Sequence, residues 1–347
     1  YDYRADGATA LGRGDFVMVP LGRREVIGVV WGDGAGDVVE SKLRDVIAPL
    51  DSPPLPPVLC RFVEWVANYT MSPPGAVLRM AMSVPSALEA PKTEIVYRAA
   101  PGADAAPKLT NARRRVLEQL KDGPALPAAE LAHIAGVGAS VIKTMAAAGL
   151  LEGVERTMRR AFAQPDGRRP GPELSPEQAV AAQALADKAQ AHAFSATLLD
   201  GVPGAGKTEV YFEAVAAALE AGRQVLVLLP EIALTAQWLK RFEDRFGAMP
   251  ASWHSGLTSL ERRETWRAIA EGRVSVVVGA RSALFLPFAD LGLIVVDEEH
   301  DSSFKQEDGV PYNARDMAVV RARLVSAPVV LASATPSLES IANVSSG

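Results

Sequence analysis

The sequence predicts a multidomain α/β protein with a small β-rich N-terminal domain, a winged-helix domain and a larger domain built on a parallel sheet. Three observations predict this fold class. The chain has 347 residues, whereas a typical domain has roughly 100–200. Short apolar segments separated by glycines fill residues 1–48, and helical spacing dominates residues 108–162. After residue 172, apolar segments alternate with helical ones, which is the pattern of a parallel sheet.

Composition limits the class of protein. The chain is 48% hydrophobic and 22% charged, which excludes a wholly disordered protein. No apolar run approaches the ~18 residues of a membrane span, and no secretory leader pattern stands at the start. Cys60 is the only cysteine, which excludes an internal disulfide framework or a Cys-rich zinc site in this span. We therefore expect a cytoplasmic protein with no membrane partner.

The charge is unevenly distributed along the chain. The net charge of −5 by itself argues against binding to nucleic acid. However, residues 108–169 hold 11 basic and 6 acidic side chains, a net charge of +5, whereas residues 171–347 hold 15 basic and 22 acidic ones, a net charge of −7. The segment 108–169 thus carries the basic surplus that a phosphate backbone requires.

Residues 1–90 are predicted to form a β-rich domain. Apolar and β-branched runs at residues 16–20 and 26–31 lie between Gly-rich turns, which is typical of short strands. A Pro-rich break at residues 51–57 precedes helical spacing over residues 58–69. A strand at residues 94–98 and an Ala/Pro-rich linker are expected within residues 86–107, and we place the interdomain linker at residues 91–107.

Residues 108–165 are predicted to form a winged helix. Helices are expected from Thr110 to Leu120, over residues 126–134 and over residues 138–148, followed by a hairpin at residues 150–163. Three short helices followed by a β-wing is the winged-helix pattern. The third helix carries Lys143 alone as a basic residue, so contact with a DNA backbone or a protein partner is favoured over base readout.

Residues 166–347 contain a phosphate-binding loop. The sequence GVPGAGKT at residues 201–208 matches G-x-x-x-x-G-K-[ST], and it lies between an apolar strand and a helix. Backbone N–H groups of such a loop, including those at Gly201, Gly204 and Gly206, close around phosphates. Lys207 is expected to reach the β- and γ-phosphates and Thr208 to ligate Mg²⁺. A chance Gly-rich turn is the alternative. The prediction is a P-loop, RecA-like ATPase lobe.

An acidic tetrapeptide ends a buried strand about 90 residues later. The apolar run at residues 293–296 is followed by Asp297, Glu298, Glu299 and His300, in the form of a Walker B strand. Asp297 is expected to hold Mg²⁺, and Glu298 to orient and deprotonate the attacking water. A solvated acidic turn is the alternative, which the P-loop makes less favourable.

Several motifs together resemble those of superfamily 2 helicases. Residues 201–208, DEEH at 297–300 and SAT at 333–335 look like helicase motifs I, II and III. Further segments resemble the PriA family of replication-restart helicases, namely LLPEIALT (228–235), GARSALF (279–285), DSSFKQ (301–306) and SATPSLES (333–340). YDY (1–3) and VPLGR (19–23) are similar to that family's N-terminal DNA-binding domain, so the resemblance covers the whole chain.

The resemblance implies roles around the nucleotide. ATP and Mg²⁺ are the implied cofactors, and His300 joins Lys207, Asp297 and Glu298 in the catalytic set. Gln178 would bond the adenine edge, although SPEQ at residues 175–178 is also a helix cap. Ser333 and Thr335 would relay the nucleotide state to the DNA surface.

The resemblance also implies DNA contacts in the lobe. Arg281 and Ser282 would meet the DNA backbone, with a structural ion pair as the alternative for Arg281. Phe304, Tyr312 and Arg315 lie in a segment that couples DNA binding to hydrolysis in relatives, and the aromatic rings could stack on single-stranded bases. Ordinary packing of the two rings is the alternative. The pair Trp253 and His254 is equally compatible with packing and with contact.

The N-terminal domain is similar to one that holds the 3′ end of a nascent strand. The matching positions are Tyr1, Asp2, Gly22 and Arg44. Asp2 would accept from a 3′-hydroxyl, Tyr1 would stack on the terminal base, and Gly22 would let the backbone approach. A β-turn with a solvated arginine is the alternative.

The resemblance thus implies an ATP-dependent 3′-to-5′ helicase that recognises branched or forked DNA and single-stranded DNA and initiates primosome assembly. Primosome proteins and single-stranded DNA-binding protein are implied partners, in a bacterial, nucleoid-associated setting. A second ATPase lobe and zinc-binding cysteines are expected in the intact family member but not in this span, so we expect a chain cut at both ends and an incomplete motor. The alternatives are a non-enzymatic fork-binding module with an ATP-binding platform and another superfamily 2 translocase.

Overall fold

The structure, a computed structural model, describes residues 1–5, 10–34, 36–90, 93–105, 109–121, 123–157, 159–230 and 236–346. Two compact units make up the chain. One contains residues 1–90 together with residues 161–347, and the other contains residues 91–160. The N-terminal residues therefore group with the parallel-sheet lobe, where the sequence analysis expected a separate domain.

Residues 1–90 contain two small sheets and two helices. In chain order the elements are β1 (Tyr3–Arg4), β2 (Phe16–Leu21), β3 (Arg24–Val29), β4 (Arg44–Asp45), β5 (Ala48–Pro49), α1 (Pro57–Thr70) and α2 (Pro74–Ala81). Strand β2 pairs antiparallel with β3 and β5, and β1 pairs with β4 in parallel. The turn between β2 and β3 has Gly22 at φ +62°, a left-handed conformation that favours glycine. The predicted strands and the helix over residues 58–69 are confirmed.

Residues 1–90 share an apolar core with the lobe. Helix α1 begins with Pro57 at its first turn, and its buried face includes Phe62, which is 0% exposed. The Phe62 ring lies 5.2 Å from the ring of Phe285 in the lobe. Trp266 packs edge-on against Phe16 at 6.0 Å, and its indole N–H donates to the carbonyl oxygen of Ala81 at 3.1 Å. This shared burial explains why the two segments form one unit.

Residues 91–160 form the second unit. Its elements are β6 (Thr93–Ala99), α3 (Asn111–Leu120), β7 (Leu126–Pro127), α4 (Ala128–Ile134), α5 (Ala139–Ala147) and β8 (Leu151–Thr157). The sheet is antiparallel with order β7-β6-β8, and β6 pairs with β8 along all seven residues. The Thr110 side chain caps α3, as predicted, by accepting from the Arg113 N–H.

Two sequence-based boundaries change in this unit. Strand β6 contains the strand expected at residues 94–98, but it is the central strand of the sheet and lies within the expected linker at 91–107. The expected hairpin at residues 150–163 is instead the single strand β8, because its partner is β6 and not a neighbouring segment. Val116, Ile142 and Met145 are fully buried between the helices, so the unit has its own core.

The remaining elements form the lobe. They are α6 (Pro176–Gln190), β9 (Ser195–Asp200), α7 (Lys207–Glu220), β10 (Gln224–Leu228), α8 (Ala236–Phe246), β11 (Ala251–Trp253), α9 (Ser259–Ala270), β12 (Val276–Gly279), β13 (Leu291–Asp297), β14 (Lys305–Gln306), β15 (Tyr312–Asn313), α10 (Ala314–Val325), β16 (Pro328–Ser333) and α11 (Leu338–Ser346). Six strands pair in parallel in the order β11-β12-β10-β13-β16-β9. The predicted parallel sheet is confirmed.

The sheet brings distant motifs to one edge. Strands β10, β13 and β16 are buried along their whole length, as expected for a sheet covered on both faces. In the register, Asp297 pairs with Ala332, and Ser333 pairs with Asp200. The P-loop, the acidic tetrapeptide and the SAT segment follow these positions directly, so all three lie at the carboxyl edge of the sheet, where open α/β sheets bind ligands.

We predict that Trp266→Phe lowers the free energy of unfolding by about 1–3 kcal/mol, because the substitution leaves the buried carbonyl of Ala81 without its donor. The measurement is a urea unfolding curve of the whole chain followed by circular dichroism. The control is Trp65→Phe, since Trp65 is 36% exposed and stacks on the exposed Tyr69. Equal losses in the two variants would contradict the role of the Trp266 hydrogen bond.

Candidate nucleotide-binding site

The P-loop connects β9 to the first turn of α7. Gly204 and Gly206 have φ values of +77° and +76°, which non-glycine residues rarely adopt. A Cβ atom at Gly206 would also lie 2.5 Å from the amide nitrogen of Gln178. Glycine at position 206 thus meets both a backbone and a packing requirement. The N–H of Gly201 donates to the carbonyl oxygen of Ser333 at 3.3 Å, which ties the start of the loop to the end of β16.

Lys207 folds back across the loop. Its Nζ donates to the carbonyl oxygens of Gly201, at 2.8 Å, and of Val202, at 3.4 Å. The ammonium group therefore lies over the concave side of a loop whose next element is the N-terminus of α7. A positive charge beside a helix N-terminus is the combination that anionic phosphates require.

Gln178 occupies the cap of α6 and contacts the P-loop at the same time. Its backbone N–H donates to the Ser175 hydroxyl, and its side-chain oxygen accepts from the Ser175 N–H at 2.8 Å, which completes a capping box. Its amide nitrogen donates to the carbonyl oxygen of Ala205 at 2.9 Å. The cap interpretation is confirmed, and the contact with Ala205 puts the amide beside the loop. Its interaction with adenine stays a prediction.

Asp297 is held by two hydrogen bonds at the end of β13. Its Oδ2 accepts from the Tyr211 hydroxyl at 2.8 Å, and its Oδ1 accepts from the N–H of Glu298 at 3.0 Å. The residue is 8% exposed, and burial raises the pKa of its carboxyl above the ordinary value. A nearby cation would therefore be needed to offset the cost of a buried negative charge here.

The sequence analysis missed Tyr211. Its hydroxyl accepts from the indole N–H of Trp238 at 2.8 Å while it donates to Asp297. Burial, and then the charge of Asp297, raises the pKa of this phenol well above its usual range, so it stays protonated. The signal for it was in the helical spacing, since Tyr211 follows Thr208 by three residues and Lys207 by four and so shares their helix face.

Glu298 and His300 follow with an unusual backbone. Glu298 has φ +52°, a left-handed conformation that costs a non-glycine residue energy and is frequent at functional sites. His300 Nδ1 lies 2.7 Å from the Ser333 hydroxyl and 3.7 Å from the Glu298 carboxylate. The Ser333 oxygen also accepts from the Thr335 N–H at 3.1 Å. The acidic tetrapeptide and the SAT segment are therefore in direct contact.

Glu299 forms a buried ion pair with Arg315. Its carboxylate oxygen lies 3.3 Å from Arg315 Nη1, and the two side chains are 0% and 8% exposed. The same carboxylate accepts from the Ser337 N–H at 2.7 Å and from the hydroxyls of Ser337 and Ser340 at 3.0 Å. Arg315 was expected at the DNA surface. That expectation is wrong in this structure, because its guanidinium is turned inward onto Glu299.

Phe304 and Tyr312 are also buried. They are 1% and 5% exposed, and the Tyr312 ring lies 5.6 Å from that of Phe285 in the core shared with residues 1–90. Base stacking requires an accessible ring face, so the expectation that they stack on DNA bases is wrong in this structure and the packing alternative holds.

Arg281 lies at the rim of a cleft. Its Nη1 donates to the carbonyl oxygens of Ser303 and Lys305, both at 2.9 Å. Ser282 beside it is exposed. The cleft has a volume of about 620 Å³ and is lined by Arg281, Ser302, Lys305, Gln306, Glu307 and Asp308. The hydrogen-bond partners of the Arg281 guanidinium among the described residues are thus backbone carbonyls and not the carboxylate of a structural ion pair.

A second cleft lies in the N-terminal residues. Arg44 Nη1 donates to the carbonyl oxygen of Gly22 at 2.8 Å. A cleft of about 490 Å³ is lined by Pro20, Gly22, Arg23, Arg24, Glu25, Arg44, Asp45 and Ile47. The structure thus brings Gly22 and Arg44 together. Tyr1 and Asp2 do not line this cleft. Tyr1 is fully exposed, and the Asp2 carboxyl group lies near Gly34.

Two other expected segments are placed differently. Residues 231–235 of the LLPEIALT segment lie outside the described residues. Trp253 is 4% exposed and lies beneath the guanidinium of Arg262 at 5.8 Å, while His254 Nδ1 accepts from the Gly256 N–H at 3.2 Å. Packing is the better description of this pair.

Among the described residues, no helix has both the length and the apolar character needed to cross a bilayer. In the same ranges, no group of three or more His, Cys, Asp or Glu side chains is arranged to hold a metal ion.

The fold and the site define a P-loop nucleotide-binding lobe of the helicase class. Residues 175–344 match the model of the DEAD/DEAH box helicase family, and residues 1–83 match that of the 3'DNA-binding domain (3'BD) of PriA. The chain is similar over its whole length to replication restart protein PriA of Rickettsia felis (34% identity, 42% of the relative covered) and of Haemophilus influenzae (35%, 49% covered). The chain thus resembles the PriA family along its whole length.

The chain is also similar to a further curated relative and to solved helicase structures. Replication restart protein PriA of Synechocystis sp. is 40% identical over 92% of this chain and 36% of the relative. The chain spans less than half the length of these curated relatives. Among solved structures, RecG bound to a three-way DNA junction matches 50% of this chain and 22% of that one, at 24% identity and a TM-score of 0.39.

We predict that Arg315→Met lowers the free energy of unfolding by about 3–5 kcal/mol, because it leaves the buried Glu299 charge without its cation. Thermal or urea unfolding measures the loss. The matched control is Arg323→Met, at an exposed position of the same helix. Adding Glu299→Gln to Arg315→Met should recover part of the stability, since the amide is neutral. An Arg315→Met variant as stable as the control would refute the ion pair's importance.

Proposed function

We propose that this chain is the N-terminal part of an ATP-dependent 3′-to-5′ DNA helicase of replication restart, which recognises stalled or branched forks and initiates primosome assembly. The observation that carries the proposal is the meeting of the P-loop, Asp297 and Ser333 at one sheet edge. The match of residues 1–83 to a 3′ DNA-binding domain, in the same unit, supports DNA as the substrate.

The residues at the sheet edge suit ATP with Mg²⁺. Lys207 and the backbone N–H groups of the loop would hold the phosphates, and Gly204 and Gly206 leave room for them. Thr208 and Asp297 supply hydroxyl and carboxylate oxygens, which are the ligands Mg²⁺ prefers. Bound Mg²⁺ would neutralise charge on the phosphates.

The residues after Asp297 supply the remaining functions. Glu298 would orient the attacking water and accept its proton. Ser333 and Thr335 would link the nucleotide site to the DNA surface. His300 would take part through its contact with Ser333. Arg281 and Ser282, at the rim of the cleft in the lobe, would contact the phosphate backbone of single-stranded DNA.

The N-terminal cleft would receive a DNA 3′ end. Arg44 is fixed against the Gly22 carbonyl and offers the remaining N–H groups of its guanidinium. Asp2 and Tyr1 would complete the pocket, with Asp2 accepting from the 3′-hydroxyl. The unit at residues 91–160 would act as a winged helix that contacts a DNA backbone or a protein partner, because Lys143 is the only basic residue of α5.

The resemblance to the PriA family also suggests binding partners and a cellular setting for this chain. Primosome proteins and single-stranded DNA-binding protein are the proposed partners, in the bacterial cytoplasm near the nucleoid. Zinc is proposed only for the longer family members, and we assign it no ligand among these residues. In superfamily 2 helicases a second ATPase lobe supplies arginine fingers, and an arginine finger contributes about 10³–10⁵ in rate in comparable phosphoryl-transfer proteins. We therefore propose that this chain alone hydrolyses ATP slowly or not at all.

We predict that Lys207→Ala weakens ADP binding to this chain at least about tenfold, since a charge-assisted contact to phosphate is lost. Isothermal titration calorimetry gives the affinity. The control is Lys240→Ala, which removes an exposed lysine paired with Asp244 and should leave binding unchanged. DNA-stimulated ATP turnover comparable to that of a two-lobed helicase would contradict the proposal that this chain alone hydrolyses ATP slowly or not at all.

The same substitution in a longer protein containing this chain separates the helicase from its rival. Loss of DNA unwinding with Lys207→Ala is expected. If every DNA-dependent activity persisted, the protein would instead be a fork-binding module with an ATP-binding platform.

We predict that a dideoxy end, which lacks the leading-strand 3′-hydroxyl of a model fork, weakens binding roughly threefold to tenfold, the effect of one lost hydrogen bond. Asp2→Ala should abolish this preference because it removes the proposed acceptor, whereas Arg79→Ala, at an exposed position of α2, should keep it. Fluorescence anisotropy on the matched forks gives the affinities. Equal affinity for the two forks would favour another superfamily 2 translocase.

A further inference from the structure

Tyr211 is the side chain that joins the two halves of the proposed metal site. It lies on α7, one turn after Thr208, and is 0% exposed. Its hydroxyl bonds the Asp297 carboxylate, which comes from a strand 86 residues later in the chain. Thr208 precedes Tyr211 by three residues on the same helix, so the two side chains share a helix face. The phenol therefore bonds one proposed Mg²⁺ ligand and lies about one helical turn from the other.

The direction of the proton in this arrangement is fixed. An indole N–H can only donate, so the 2.8 Å contact from Trp238 occupies a lone pair of the Tyr211 oxygen. The single phenol hydrogen is then left for Asp297, which can only accept when ionised. The Trp238–Tyr211–Asp297 chain thus has one hydrogen-bonding pattern, and it orients Oδ2 of the carboxylate.

The second carboxylate oxygen is oriented independently. Oδ1 accepts from the Glu298 N–H at 3.0 Å, so the carboxylate plane is fixed at both oxygens. Residues that orient metal ligands in this way typically change metal affinity about 10–100-fold when mutated. Without the phenol, Asp297 would keep the hydrogen bond from the Glu298 N–H, which holds one of its two carboxylate oxygens.

We propose that Tyr211 is a positioning residue for Mg²⁺ binding, acting through Asp297 and itself held by Trp238. The inference rests on the proposed function, because it concerns the metal that accompanies the nucleotide. Tyr211 is fully buried, so it would not contact the phosphates, which the P-loop backbone and Lys207 would hold. Its effect should therefore be confined to the metal-dependent part of nucleotide binding.

The test measures the affinity of this chain for a fluorescent ADP analogue in Mg²⁺ and in EDTA, and takes the ratio. In Tyr211→Phe, the affinity in EDTA should stay within about twofold of the unmodified chain, whereas the enhancement by Mg²⁺ should fall about 10–100-fold. The matched control is Tyr69→Phe, the same substitution at an exposed tyrosine of α1, which should change neither value. An unchanged enhancement in Tyr211→Phe would overturn the inference.

A second variant separates positioning from stability. Tyr211→Phe leaves the buried Trp238 N–H without this acceptor, and it could destabilise the lobe for that reason alone. The double variant Tyr211→Phe with Trp238→Phe removes both partners of this hydrogen bond, so any loss of stability that it shows in thermal unfolding comes from packing. The Mg²⁺ enhancement should nevertheless stay lost. If it returned, Tyr211 would have only a structural role and the inference would be overturned.

If Tyr211→Phe fails to fold, the Mg²⁺ enhancement of the double variant alone tests the inference. Failure of the proposed function and failure of the inference give different results. If the unmodified chain bound ADP in neither buffer, the nucleotide function itself would fail and the inference with it. If the unmodified chain showed the Mg²⁺ enhancement and the variants kept it, only the inference about Tyr211 would fail.

Discussion

Burial of the parallel sheet on both faces decides where polar chemistry can lie in this lobe. Strands β10, β13 and β16 are inaccessible along their whole length, and a buried charge without partners is costly. Charged and hydroxyl groups therefore concentrate where the strands end. Because parallel strands all end at one edge, Asp297, Ser333 and the P-loop after β9 meet there, although they are far apart in the chain.

That concentration of polar groups requires hydrogen bonds between motifs. Asp297 accepts a hydrogen bond from Tyr211 of α7. Glu299 accepts from Arg315 of α10 and from the N–H of Ser337, just before α11. His300 is hydrogen-bonded to Ser333 at the end of β16. Each of the three residues is thus bonded to a different neighbouring element. A change at the P-loop that moved the acidic tetrapeptide would therefore act on all of these elements at once. These hydrogen bonds are a physical basis for coupling between the P-loop and the elements around it.

The sequence predicted the parts of this site that depend on local spacing. The P-loop, the strand before Asp297 and the capping box at Gln178 all follow from residues within one turn or strand of one another. Phe304, Tyr312 and Arg315 were assigned wrongly because their burial depends on Phe285 and Glu299, which local patterns do not reveal. Tyr211 was missed for a related reason, since its helical spacing places it near Thr208 but does not reveal a carboxylate partner 86 residues away.

The shared core of residues 1–90 and the lobe has a mechanical consequence. Separating them would expose Phe62 and Trp266 and break the Trp266 bond to Ala81, at about 1.5–3 kcal/mol for each large apolar side chain. The N-terminal cleft at Arg44 and the P-loop therefore belong to one body. Under the proposed function, one apolar core would support both the cleft at Arg44 and the P-loop, so a substitution that loosens this core should affect both sites.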